Sequence, residues 1–394
     1  MQKTPYYSYN LGTLPKGCQL CVKGSKLVLF VTGICSLHCY FCPISDKKYN
    51  KDVIYADEWK ISNDKELLEE ARLIKAEGAG ITGGDPLART ERTAKYIKLL
   101  KKRFGKKFHI HLYTPLNLVD ENKLKKLYAA GLDEIRFHPN LDHKRNWLKI
   151  TMAKKYKWKV GVEIPVIPTK EKQIKEMIDF IKDKVDFLNM NELEYSDTNA
   201  SNLYKLGFRV KDSISYGIKG SHELALKLLK YAEGKIRNAH YCTAKLKDGV
   251  QLANRIKRRA KNAAKDYDII SKEGMLIRGA VYLSSLKPGI GYRKKLEKIS
   301  TKNKKSIIRQ LSIIKNQLKK DFKIKNNLID IDRSKLRILT SIRIINKIKD
   351  KINDCLLKNW VKDKKLLKSK KDLCLAIVEE YPTWDQTEIS VEFL

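Results

Sequence analysis

Three cysteines stand close together at Cys35, Cys39 and Cys42, within the stretch GICSLHCYFCP that runs from Gly33 to Pro43. A structural zinc site closes its tetrahedron with four ligands, and paired C-x2-C knuckles are its usual arrangement. Here the spacing is C-x3-C-x2-C on one continuous loop. That set suits a cubane [4Fe–4S] cluster held by three thiolates, which leaves one iron open to an outside ligand. The absent fourth cysteine is therefore the chemical feature of the loop. Elsewhere Cys18 and Cys21 form a C-x2-C knuckle in GCQLC, and His240 and Cys242 stand in HYCTAK. These four carry the donor types for a second iron–sulfur cluster or a zinc ion. Cys242, with His240 beside it, reads equally as a catalytic group that donates hydrogen or forms a covalent adduct, and as a small buried hydrophobe.

Such groups lie far apart in the chain, so a scaffold must gather them. Short apolar runs at 26–33, 78–84, 108–114, 134–139, 159–168 and 187–194 alternate with helix-period segments such as NDKELLEEARLIKAEG and KEKQIKEMIDFIKDKV. Strands alternating with helices predict an α/β fold of parallel strands joined by right-handed crossovers, either a partial barrel or an open sheet. In both, the loops after the strands converge on one face. The three cysteines follow the first predicted strand and GGDP (83–86) closes the second, which points both to one mouth. In a closed barrel the first and last units would be neighbours, bringing Cys18 and Cys21 to His240 and Cys242 across the seam.

The cysteine spacing, with the aromatic residues of CYFC, resembles the signature of the radical S-adenosylmethionine (SAM) superfamily. GGDP is similar to that superfamily's GGEP segment, with Asp85 where Glu is usual. More narrowly, LPKGCQLCVKGSKLVLFVTGICSLHCYFCP resembles archaeal proteins described as related to pyruvate formate-lyase activating enzymes. The resemblance covers about residues 24–243. It implies a partial (βα)6 barrel, a [4Fe–4S] cluster on Cys35, Cys39 and Cys42, and SAM on the open iron. A one-electron donor such as ferredoxin or flavodoxin would then drive cleavage of SAM to methionine and a 5′-deoxyadenosyl radical. Gly83, Gly84, Asp85 and Pro86 match the segment that contacts the methionine amine. Thr114, Glu163, Asn189 and Asn191 match strand-end positions that contact ribose, carboxylate and adenine. Arg136 and His138 on the fourth strand are expected to face cofactor or substrate.

Lys and Arg total 82 against 45 Asp and Glu, a formal charge of +37. Charge on this scale favours a polyanionic partner through counterion release. Residues 291–370 hold 26 Lys and Arg against 7 Asp and Glu, and the helix-period segment 244–267 crowds Lys257, Arg258, Arg259 and Lys261. The predicted division is an N-terminal knuckle segment (1–24), the barrel (25–243), a basic helix and connector (244–290), and a basic, mainly helical appendage (291–394). RNA, and tRNA in particular, is the expected partner, contacted by those four basic residues, with modification of a nucleoside as the expected reaction. The alternatives are an activase that installs a glycyl radical on a protein, and a non-catalytic RNA-binding protein with a structural cluster. Five of the eight cysteines fall in the first 42 residues, and no apolar run reaches the length of a signal or a membrane span. A cytoplasmic protein that ligates metal is the expectation.

Overall fold

In the computed structural model, which describes residues 1–352 and 372–394, the chain packs as two units, Met1–Arg258 and Arg259–Leu394. Seven parallel strands in sequential order form the centre of the first unit. They are β1 (Lys26–Phe30), β2 (Gly78–Thr82), β3 (His109–Pro115), β4 (Glu134–His138), β5 (Lys159–Val166), β6 (Phe187–Glu192) and β7 (Ala239–Cys242). The strand Tyr9–Leu11 pairs antiparallel with β7, and Tyr55–Ala56 pairs antiparallel with β1. β1 and β7 therefore lie at opposite ends of the parallel series, each flanked by antiparallel strands, in an open sheet that forms a partial α/β barrel. The predicted six strands are present, and β7 is an addition. Its four residues, AHYC, are too short and too polar to show a strand period.

Crossover helices include α2 (Asp64–Leu73), α3 (Thr90–Phe104), α4 (Glu121–Ala130), α5 (Glu171–Ile181) and α6 (Ser221–Ala232). α5 shows why they form: Ile174, Met177, Ile178 and Ile181 recur at helical spacing and are all buried against the sheet. α4 starts where Asp120 accepts a hydrogen bond from Lys123 N and stops at Gly131, whose φ of 101° suits glycine. The N-terminal residues are built into this unit. Lys16–Val22 forms the helix α1, with Cys18, Leu20 and Cys21 buried. A Cβ at Gly17 would collide with the side chains of Arg136 and His111, so α1 lies close against β3 and β4.

The boundary at Arg258 falls within the helix Ala253–Ala263 (α7), dividing residues 244–290 between the two units. The second unit contains helices, including Thr301–Phe322, as expected of the appendage. Its centre, however, is a six-stranded antiparallel sheet in which Leu276–Leu283 pairs with Leu373–Glu380 and with Arg337–Thr340. The sequence hid these strands because their charged residues face inward. Arg337 is fully buried and bonds to Glu380, Asp332 and the Tyr282 hydroxyl. Residues 353–370 of the Lys-rich segment, with Cys355, lie outside the described residues.

Candidate active site

The loop after β1 is closed at its base by two backbone hydrogen bonds, Gly33 N to Lys51 O at 2.8 Å and Asn50 N to Gly33 O at 3.1 Å. Gly33 has no space for a side chain, since a Cβ would overlap the Lys48 carbonyl oxygen. Asp52 fastens the loop's exit, accepting from the Thr32 hydroxyl at 2.9 Å, from Arg89 Nε at 3.0 Å and from Arg92. Arg92 also donates to the Val31 carbonyl at 2.9 Å. Sequence reading passed over this clamp, although the Arg-x2-Arg spacing at the head of α3 puts both guanidinium groups on one helical face. The loop after β2 is stitched to the same place. Gly84 N donates to Thr32 O and Asp85 N to Ile34 O, each at 2.8 Å. The mouth foreseen from loop positions is therefore formed.

Cys35, Cys39 and Cys42 line a cavity of about 440 Å³ together with Thr82, Gly83, Gly84, Thr114, Glu163, Asn189 and Asn191. Asp85 is fully buried, and Pro86 begins the turn behind it. One oxygen of Asp85 accepts from Leu87 N at 2.9 Å and from the Thr114 hydroxyl at 2.8 Å, while the other has no hydrogen-bond partner. Glu163 organises the far wall, accepting from Arg136 Nη1 (2.8 Å), Asn189 Nδ2 (2.9 Å) and Asn191 Nδ2 (3.0 Å). Burial alone would raise its pKa, but Arg136 and the two asparagines prevail and hold it at about 2. Arg136 is itself buried and donates through Nε to Glu134 at 2.6 Å. His138 Nδ1 lies 3.0 Å from the Glu163 carbonyl oxygen and its ring stands beside Phe41 of the cysteine loop.

The same cavity reaches Cys18, Cys21, His240 and Cys242. They meet through α1, which lies against the sheet, and not across a closed seam. Cys18 Sγ accepts from Asn189 at 3.2 Å and Arg136 at 3.4 Å, and Cys242 Sγ accepts from Gln251 at 3.6 Å. Both ring nitrogens of His240 lack a partner, and burial lowers its pKa to about 4. The donors expected to share a second metal centre, Cys18, Cys21 and Cys242, thus line one cavity, and two of their thiols also accept hydrogen bonds from Arg136, Asn189 and Gln251. Cys35, Cys39 and Cys42 share one loop pinned at both ends, and all three thiols are free. Burial, with Cys42 and Cys35 adding charge, pushes Cys39 up to about 11. The donor set, the stitched glycine turn and the unpartnered polar atoms together fit a cluster and a polar cofactor.

The basic helix does not present the four residues expected for RNA. Arg258 donates to the carbonyl oxygens of Ile74 and Lys75, at 2.9 and 2.6 Å, and Arg259 is buried. Only Lys257 and Lys261 of the four are exposed. Cavity residues that sequence reading missed include Lys26, whose ammonium lies 3.4 Å from the Tyr113 hydroxyl. Its apolar strand context masked it.

The sequence model of the Radical SAM superfamily matches residues 29–181. A protein of Methanocaldococcus jannaschii, named "Putative glycyl-radical enzyme activating enzyme", is 47% identical over 283 residues, covering 70% of this chain and 75% of that one. Among solved structures, methylornithine synthase is 14% identical with a TM-score of 0.37, over 52% of this chain and 62% of that one. The methyltransferase TsrM from Kitasatospora setae is 10% identical with a TM-score of 0.36, over 52% and 43%. Neither overlap is deep enough to bear on function. No helix among the described residues is long and apolar enough to cross a membrane. With the cysteine loop, the glycine turn and the parallel sheet in place, the chain belongs to the radical SAM superfamily and is an enzyme whose cofactors are a [4Fe–4S] cluster and SAM.

Proposed function

We propose that this enzyme is an activase that abstracts a hydrogen atom from a glycine Cα of a partner protein. The likeness to the M. jannaschii protein carries this reading, at 47% identity across most of both chains. When bound, the cofactors supply a 5′-deoxyadenosyl radical after one-electron reduction of SAM, with methionine as the other fragment. The balance is one electron, one SAM and one glycine C–H consumed, with methionine, 5′-deoxyadenosine and a glycyl radical formed. Cys35, Cys39 and Cys42 hold the cluster, and Gly83 and Gly84 offer backbone to the methionine end of SAM. Glu163, fixed by Arg136, Asn189 and Asn191, presents a carboxylate that stays ionised, while Thr114 keeps Asp85 in place. Cys242 and His240 border the same space and have no required step in this reaction. A flavodoxin- or ferredoxin-class donor and a reducing, cytoplasmic setting complete the reading.

The test is anaerobic incubation of reduced enzyme with SAM and candidate glycine-radical proteins from the same cell, read by electron paramagnetic resonance. A protein-borne glycyl signal equal to the 5′-deoxyadenosine released is expected, and none with Cys39→Ala. Deuterium at the glycine Cα should appear in 5′-deoxyadenosine. The charge of residues 291–370 favours a second reading, modification of a tRNA nucleoside. Turnover that needs tRNA and leaves no glycyl signal would establish that reading over the first.

A further inference from the structure

Between β6 and α6 the chain makes an excursion over residues 193–220. β6 runs parallel to β5 and, through the sheet, to β1 and β2, so the excursion leaves from the same face as the cysteine loop and the glycine turn. It is tied to that face, since Asn199 Nδ2 donates to the Phe41 carbonyl at 3.0 Å. Its own folding is ordered. Tyr195 N donates to Tyr216 O, Ile218 N to Leu193 O, Lys211 N to Gly217 O and Lys219 N to Arg209 O, all at 2.8–2.9 Å. Leu203, Phe208 and Ile218 are buried beneath it.

The outward side is unlike a solvated loop. Ile214 is 92% exposed, Tyr216 64%, Tyr204 59% and Leu206 57%, with Val210 also exposed. These make five of the nineteen exposed large hydrophobics among the described residues, within thirteen positions. Ordered backbone that holds apolar side chains outward marks a contact surface. Lys205 and Lys219 flank the patch, exposed and without an ion-pair partner among the described residues. The one acidic side chain at the tip, Asp212, is engaged in accepting from Ile214 N and Ser215 N.

We propose that this hairpin is the docking surface for the partner protein, and that the partner presents an acidic segment carrying apolar side chains. The proposal rests on the activase reading. A second copy of the chain is disfavoured as occupant, because two bodies of +37 repel. An acidic segment instead pairs with Lys205 and Lys219 while its apolar residues cover Ile214 and Tyr216. Docking there holds the partner beside Phe41 at the cavity mouth.

The probe is a fluorescent synthetic peptide of glutamate, leucine and tyrosine around one glycine, titrated against the full-length, cluster-loaded enzyme by anisotropy. Its lysine-for-glutamate counterpart and bulk tRNA are controls. The acidic peptide should bind and the basic one should not. Ile214→Asp with Tyr216→Asp, and separately Lys205→Glu with Lys219→Glu, should each weaken binding about tenfold or more. Partner-free SAM cleavage and cluster absorbance should stay within about twofold, as the cavity is not altered. Unchanged peptide affinity in both variants, a preference for the basic peptide, or tRNA binding lost through the same changes would each overturn the proposal. Should the peptide behave as expected while no glycyl radical forms on any partner, the activase reading fails and the surface stands. If a glycyl radical forms with an unaltered half-saturating partner concentration in both variants, the surface fails alone.

Discussion

Arg136 and Glu163 occupy adjacent parallel strands, and their pairing fixes the charge inside the cavity. A buried ion pair is retained at a desolvation cost that only close geometry and further hydrogen bonds offset. Here Asn189, Asn191 and Glu134 provide them. Glu163→Gln leaves Glu134 as the one carboxylate paired with Arg136 among the described residues and should lower stability by roughly 3 kcal/mol, measurable by denaturant unfolding at neutral pH. The pH dependence has a definite sign. Because the folded pKa of about 2 lies below the ordinary 4.5, Glu163 contributes stability above pH 4.5 and loses it as pH falls from there towards 2. Wild type should therefore weaken more steeply over that window than Glu163→Gln, and parallel curves would contradict the pairing. At this scale the sequence was informative wherever chemistry is local. The cysteine spacing and the strand charge Arg136 were both readable, since three thiols on one loop and a charge on an apolar strand each demand a partner. The engagement of Cys18 by Arg136 and Asn189 was not, because it depends on how α1 lies against the sheet.

The glycine turn and the cysteine loop behave as one element, joined by main-chain hydrogen bonds and a close approach that excludes a side chain. A Cβ at Gly84 would sit 2.5 Å from Ile34 O and 2.7 Å from Gly33 O. Gly84→Ala should consequently displace the cysteine loop at its root and reduce SAM cleavage by about tenfold or more, with iron content measured alongside. A variant with full activity would show that the two loops move independently. α7 offers a contrast. Its Arg258 closes the carbonyl end of α2, where a cation meets the negative end of the helix dipole. Arg258→Ala should lower stability by about 1 kcal/mol, visible as a fall in the melting temperature, and should leave any tRNA affinity unaltered. This is why a run of basic residues misled the sequence reading. Charge and helical period show that a helix is cationic, but not which side chains its neighbours consume. The short strand β7 escaped for a related reason, being recognised by pairing with β6 and not by its composition.

For the molecule as a whole, +37 is legible in the sequence, whereas where that charge acts is not. Part of it is internal. Lys335 and Arg337 in the second unit are buried against Glu380, and Arg278 against Asp268. What remains exposed can serve a protein or a nucleic acid, and salt separates them. Contacts with phosphate release counterions, so log affinity for tRNA should fall with log salt by about 0.7–0.9 for each neutralised phosphate, without a floor. An acidic peptide on the 204–219 hairpin gains from screened charge and also from apolar contact at Ile214 and Tyr216, which salt does not screen. Its affinity should therefore drop by about tenfold between roughly 50 and 500 mM salt and then level. Parallel anisotropy titrations of the acidic peptide and bulk tRNA over that range measure both curves. The expected result is a crossing, with tRNA the weaker ligand at high salt. A tRNA curve that stays tighter throughout would assign the exposed charge to nucleic acid and leave the apolar hairpin without its partner.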